Sequence, residues 1–166
     1  AGAAYPLTVD PLIYLEQKVI ASDGAASDEF GYSVALNAAG DTAIVGAIYD
    51  DVGANINQGS AYVFTRNGGV WSQQAQLTAS DGAAYDYFGA SVALNAAGDT
   101  AIVGAYGDNV GANADQGSAY VFTRNGGVWS QQAQLTASDG ATYDNFGASV
   151  ALNAAGDTAI VGADYD

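Results

Sequence analysis

One unit recurs along this 166-residue chain, and that repeat constrains the fold more than any other feature. Phe30-Gly31, Phe88-Gly89 and Phe146-Gly147 are spaced 88 − 30 = 58 and 146 − 88 = 58 residues apart. Trp71 and Trp129 keep the same offset. The stretch from Gly59 to Ala79 (GSAYVFTRNGGVWSQQAQLTA) recurs letter for letter from Gly117 to Ala137. SVALNAAGDTAIVGA starts at Ser33, at Ser91 and again at Ser149. Such a chain buries its apolar faces against copies of its own unit.

Each unit reads as four short antiparallel strands. Ser33 to Leu36 alternates, and Thr42 to Val45 follows after a turn at Ala39-Gly40-Asp41. Ala61 to Thr65 is the third strand, and Asn67-Gly68-Gly69 supplies the positive-φ residues of a tight hairpin. The fourth runs from Trp71 to Ala79. Strict alternation there puts Trp71, Ala75 and Leu77 on one face and Ser72, Gln74, Gln76 and Thr78 on the other. Alanine is abundant, but Gly40, Gly46 and the β-branched residues interrupt every helical stretch. Four such strands per repeat predict an all-β protein of propeller-type blades. Two loops lengthen the unit: Ile48 to Gln58 between the second and third strands, and Ser22 to Glu29 between units.

Phe-Gly-x-Ser-Val-Ala, a hairpin and then Ile-Val-Gly-Ala resemble the FG-GAP repeat, found in the seven-bladed propellers of integrin α-subunits and in bacterial surface proteins. Ser-Asp-Gly-Ala before the Phe-Gly pair and Gly-Ser-Ala-Tyr-Val-Phe are similar to the bacterial variety. The resemblance implies a propeller fold and a place outside the cell. Two features depart from it. Ile48, Tyr106 and Asp164 replace the proline of Gly-Ala-Pro. The calcium loop Asp-x-Asp-x-Asp-Gly between the first two strands is replaced by Asn37-Ala-Ala-Gly-Asp41, so the family's calcium site does not carry over to that hairpin.

The leader aligns as half a unit. Ile13 to Ser22 aligns with Trp71 to Ser80 at the same offset of 58, and Gly2 to Tyr5 resembles Gly59 to Tyr62 if the turn at Asp10-Pro11 is one residue shorter than Asn67-Gly68-Gly69. Residues 1–22 are thus expected to form strands three and four of a split blade, 23–80 and 81–138 two blade repeats, and 139–166 strands one and two of the split blade. That is three blades' worth, fewer than a closed ring usually needs. Three arrangements follow: part of a longer propeller, two chains in a six-bladed ring, or an open head-to-tail filament. In the last two, the leader of one copy completes the tail of another by strand addition.

Charge narrows the function. Three basic against 18 acidic side chains give a net charge of −15. Lys18, Arg66 and Arg124 make no basic stripe, which argues against nucleic acid and anionic membranes as partners. No apolar run reaches the length of a membrane span. With no His and no Cys, there is no Ser-His dyad, thiolate nucleophile, disulfide or ordinary zinc site. Features stamped into every repeat suit structure better than catalysis, so no enzymatic activity is expected. A metal here would be a hard cation on oxygen ligands, with Ca2+ the candidate. Asp50, Asp51, Asn55 and Asn57 form one candidate ligand set, repeated as Asp108, Asn109, Asn113 and Asp115. The same residue types also shape long turns without any metal. Asp23 and Asp28 carry the same pair of readings.

Phe30, Phe88, Phe146, Tyr62, Tyr120, Trp71 and Trp129 are expected to pack between blades. Tyr49, Tyr85, Tyr87, Tyr106 and Tyr143 fall in loops and suit a surface for sugars or proteins. The opening Ala1-Gly2-Ala3-Ala4 suits a mature secreted chain. These features together favour a non-enzymatic structural or adhesive protein, extracellular or on the cell surface. Copies of itself are the expected partners, with surface proteins or glycans as further ones. The alternative is a ligand-binding or regulatory propeller portion of a larger secreted enzyme or receptor.

Overall fold

A computed structural model describes residues 17–165. The described residues form strands and turns, with no helix and hence none long and apolar enough to cross a membrane. The first four-stranded sheet has the order β1 (Phe30–Leu36), β2 (Thr42–Ala47), β3 (Ser60–Asn67) and β4 (Val70–Leu77). The second repeats it with β5 (Ser91–Leu94), β6 (Thr100–Ala105), β7 (Ser118–Asn125) and β8 (Val128–Leu135). A two-stranded sheet follows, β9 (Ser149–Leu152) with β10 (Ala159–Gly162). All pairings are antiparallel between sequence neighbours, and the described sheets do not close into a ring. Residues 1–16, which hold most of the expected leader strands, and Asp166 lie outside the described residues; residues 17–22, the described end of the expected fourth strand, are irregular and form no strand.

Side-chain chemistry fixes the turns. Asn37 Oδ1 accepts from the amides of Asp41 and Thr42, each at 3.0 Å, while Asn37 N donates to Thr42 O. The Asn side chain thus closes the β1–β2 hairpin and needs no cation to do so. Asn95 and Asn153 repeat the device. At the β3–β4 turn Gly68 and Gly69 take φ of 58° and 85°, the left-handed pair that matches strand twist.

The fourth strand departs from strict alternation. The pairing register shifts between Val63 and Phe64, whose partners are Ala75 and Gln73, so Gln74 is an extra residue in a bulge. Trp71 consequently packs with Val45, Tyr62 and Phe64 on the side of the leader, whereas Ala75 and Leu77 join the cluster toward the second blade. The single apolar face expected for Trp71, Ala75 and Leu77 is therefore corrected: the bulge divides it between two junctions. Gln74 reaches the next blade, accepting from Arg124 Nη1 at 3.1 Å and Trp129 Nε1 at 3.0 Å.

The core lies between sheets. Ile44, Val63, Leu77 and Ala79 of the first blade meet Phe88, Val103, Tyr120 and Phe122 of the second. Phe88 sits 5.5 Å from the Tyr120 ring and 6.0 Å from Phe122, the tilted and edge-on contacts that favour aromatic pairs. The inner strands touch most closely. A Cβ on Gly46 would lie 2.0 Å from Gly89 O, and one on Gly104 would lie 2.0 Å from Gly147 O, so only glycine admits this approach. Ser33 Oγ donates to Gly89 O and Ser91 Oγ to Gly147 O, both at 2.7 Å. Val19 and Ala21 of the leader pack against Val45, Tyr62 and Trp71, in the places that Leu77 and Ala79 hold one repeat later. Ser22 N donates to Gln73 Oε1 as Ser80 N does to Gln131 Oε1.

Candidate functional site at the loop end

The meander sorts its connections by end. The hairpins at 37–41 and 67–69 share one end with Arg66, and the β2–β3 loops and blade-to-blade connections share the other. Most carboxylates and the loop tyrosines fall at this second end.

Asp50 turns inward. It is buried, and its Oδ2 accepts from Tyr62 Oη at 2.9 Å and from Gln76 Nε2 at 3.2 Å. Asp108 does the same with Tyr120 Oη at 3.0 Å, Gln134 Nε2 at 3.0 Å and the Ser118 hydroxyl. Burial, and then the Asp50 and Asp23 carboxylates, push the Tyr62 phenol far above its ordinary value; burial with Asp108 and Asp81 does so for Tyr120. These phenols stay protonated and act as donors. Asp51 points elsewhere: its Oδ1 accepts from Asn57 N at 2.8 Å, as Asn109 Oδ1 accepts from Asp115 N. Asn55 spends its Nδ2 protons on Gln58 Oε1 and Gly82 O, and Asn113 on Gln116 Oε1 and Gly140 O.

Six of the eight candidate ligands thus divide among three tasks, while Asn57 and Asp115 engage through their backbone, their carbonyls accepting from Tyr87 N and Asn145 N of the next connection. Asp50 and Asp108 hold the third and fourth strands, Asp51 and Asn109 close the loop, and Asn55 and Asn113 tie it to the next connection. Each of these contacts satisfies a protein group, and no group of three or more His, Cys, Asp or Glu side chains placed to hold a metal occurs among the described residues. Asp28, Asp86 and Asp144 each cap a connection turn, accepting at 2.5 Å from the amides of Ala25, Ala83 and Ala141. Asp86 is 1% exposed, and burial, followed by the charges of Asp108, Asp81 and Asp115, pushes its carboxyl up to about 6 against the opposing Ala83 hydrogen bond.

The tyrosines converge where two blades meet. Tyr49 comes from the first blade's loop, Tyr85 and Tyr87 from the connection, and Tyr106 from the second blade's loop. Tyr87 lies 5.1 Å from Tyr106 in a stack, 5.8 Å from Tyr49 edge-on and 6.4 Å from Tyr85. The connection is pinned: Tyr85 N donates to Ile56 O, Tyr87 N to Asn57 O and Phe88 N to Gln58 O. Burial pushes the Tyr106 phenol up to about 12, with Tyr32, Tyr49, Tyr87 and Asp115 adding to it. Tyr143 stands apart at the next connection, 61% exposed.

Sequence reasoning placed Asp50 and Asp108 among possible ligands but missed their partners Gln76 and Gln134, which strict alternation puts on the polar face, away from Trp71, Ala75 and Leu77. It also passed over Tyr32, whose signal was visible: Ala90 and Ala148 occupy the equivalent positions.

Stacked four-stranded antiparallel blades with inner strands in contact define a propeller-like repeat protein. The FG-GAP repeat matches residues 14–64, 71–122 and 129–166, and the chain belongs to this family. Its repeats are typical of extracellular and surface proteins. No curated protein matches the chain.

Proposed function

We propose that this chain is a non-enzymatic structural and adhesive protein of the cell exterior that assembles head to tail, β9 and β10 of one copy completing the blade begun by the leader of another. One observation supports this above all: complementary apolar faces are uncovered. Val34 and Leu36 are 69% and 60% exposed, while Val92, Leu94, Val150 and Leu152 are half-buried under the preceding blade. Ile160 is 73% exposed, while Ile44 and Ile102 are fully buried under the following one. An open groove of about 400 Å³ lined by Val19, Val34, Leu36, Phe64 and Trp71 lies where strands one and two of a preceding blade would pack. The occupant that fits is a sheet like β9–β10, because the molecule's own junctions already use that pairing. The absence of His and Cys and the engagement of the buried carboxylates by structural donors support a non-catalytic role.

Light scattering with electron microscopy over a range of concentrations tests the assembly. We expect particles larger than the 16.6 kDa chain, reduced to monomer by Leu36→Asp or Ile160→Asp. A monomer at every concentration would remove the reading and favour further blades of a longer chain as the natural cover.

A further inference from the structure

We propose that the loop end is a binding surface for a neutral polysaccharide, with Tyr85 and Tyr143 as equivalent stacking positions one blade apart. This site is complete within one molecule and does not depend on assembly.

The two full repeats place all their variation at this end. Residues 22–79 and 80–137 differ only at positions 27, 29, 32, 48, 49, 51, 56 and 57 of the first repeat, all in the connection, the start of β1 or the β2–β3 loop. The strands beyond, the hairpins and the junction glycines are identical. Tyrosine enters at several of these positions: Tyr85, Tyr87 and Tyr106 replace Ser27, Glu29 and Ile48.

The backbone makes that choice costly. Tyr85, Tyr87 and Tyr143 have φ of 71°, 58° and 72°, a region that asparagine tolerates far better than an aromatic residue. Asn57 and Asn145 occupy equally left-handed positions nearby. A chain that presents tyrosine there gains something from the ring. Tyr85 is half exposed and meets Tyr87 edge-on at 6.4 Å, and Tyr87 is held in turn by Tyr49 and Tyr106.

The ligand class follows from charge and ring chemistry. A net charge of −15, with both arginines toward the hairpin end, repels anionic polymers. Tyrosine offers a flat apolar face and a polar rim, which suits a pyranose ring with its C–H face and surrounding hydroxyls. Asp115 of the second blade's loop adjoins the connection that carries Tyr143, its carbonyl receiving Asn145 N at 3.1 Å. Equivalent tyrosines on successive blades let one polymer chain engage both, each weak contact strengthened by the next. A basic peptide would be drawn to the carboxylates as a whole and would lose its hold in salt.

The full chain is titrated with a soluble glucan, a mannan and a galactan in turn, and separately with a decalysine peptide, following tyrosine fluorescence at low salt and at about 0.5 M salt. At least one neutral polymer is expected to bind at both salt levels. Tyr85→Asn with Tyr143→Asn together should weaken it by roughly tenfold or more, and either alone by less. Tyr85→Phe should retain most of the binding, and melting midpoints no lower than the parent's check that the variants fold, the asparagine variants being expected at or above it. The Ile160→Asp variant should bind a single polymer chain as the parent does, which separates this site from the assembly joint. Failure of all three polymers, binding undiminished in the double variant, or binding confined to decalysine at low salt would each overturn the proposal.

Discussion

The same isoleucine meets two surroundings in this molecule. Ile102 on β6 is fully buried beneath the next sheet, while Ile160, in the identical stretch of β10, is 73% exposed. Val92 and Leu94 are covered by the first blade, while Val34 and Leu36 face solvent. The sequence matches in each pair, so the difference lies in the neighbouring strands: among the described residues, Ile160 lacks both a following blade and a third strand beside β10, and Val34 and Leu36 lack the first two strands of a preceding blade. A single blade is therefore not a self-contained core. Its apolar pattern encodes stacking, and stability belongs to the junction rather than to the sheet.

The largest effect should come from a methyl group placed in that junction. Gly104→Ala drives a Cβ onto Gly147 O, whereas Gly162→Ala on the open face meets only the rotatable Ser149 hydroxyl. We expect the first to cost on the order of 3 kcal/mol or more in denaturant unfolding and the second well under 1 kcal/mol. Equal losses would show that the close approach of inner strands contributes little.

Deleting apolar atoms sharpens the same comparison. Ile102→Ala should destabilise by about 2–4 kcal/mol through lost burial and a residual cavity, and Ile160→Ala in a monomeric sample by about 0.5 kcal/mol or less. In an assembled sample the second value should rise toward the first.

Acidity probes the polar part of the junction. The Asp86 carboxyl has its folded pKa raised to about 6, above the ordinary 3.8, so the fold favours its protonated form. Its stabilising contribution is full below about pH 4 and is lost as pH rises through about 6. Asp86→Asn keeps an oxygen to accept from Ala83 N and removes the charge. Between pH 4 and pH 7 the variant should lose less stability than the parent, by on the order of 2 kcal/mol, in parallel urea titrations. Matching slopes would mean that Asp86 does not govern this pH range.

Calcium should produce the smallest change. Asp50 and Asp108 already accept from buried tyrosines, and Asp51 and Asn109 already close their loops. The melting midpoint in excess chelator and in millimolar calcium is expected to differ by less than about 2 °C. A rise of about 5 °C or more would mean that the loops rearrange to ligate the ion.

Much of the architecture was legible because it is written in local terms. Gly68-Gly69 dictates a tight turn, alternating apolar residues dictate strands, and an exact repeat dictates like units. The β4 bulge was not legible, since Gln74 differs from its neighbours only in its lack of a β3 partner. That one extra residue sends Trp71 toward one junction and Leu77 toward the other. At the candidate site, residue types were readable but their assignments were not: a loop aspartate looks alike whether it awaits a cation or accepts from a buried phenol.

By itself, then, the sequence determined that the chain is a β-repeat of the FG-GAP kind, where its turns fall, and that its chemistry is acidic and oxygen-based. Those properties depend on neighbours within a few residues or on the period itself. Only the tertiary structure decided that Asp50 meets Tyr62 and Gln76, that four tyrosines from three segments gather at one junction, and which isoleucine lies bare. Contacts of that kind join residues tens of positions apart, and they are set by sheet register and by the close packing of one blade on the next.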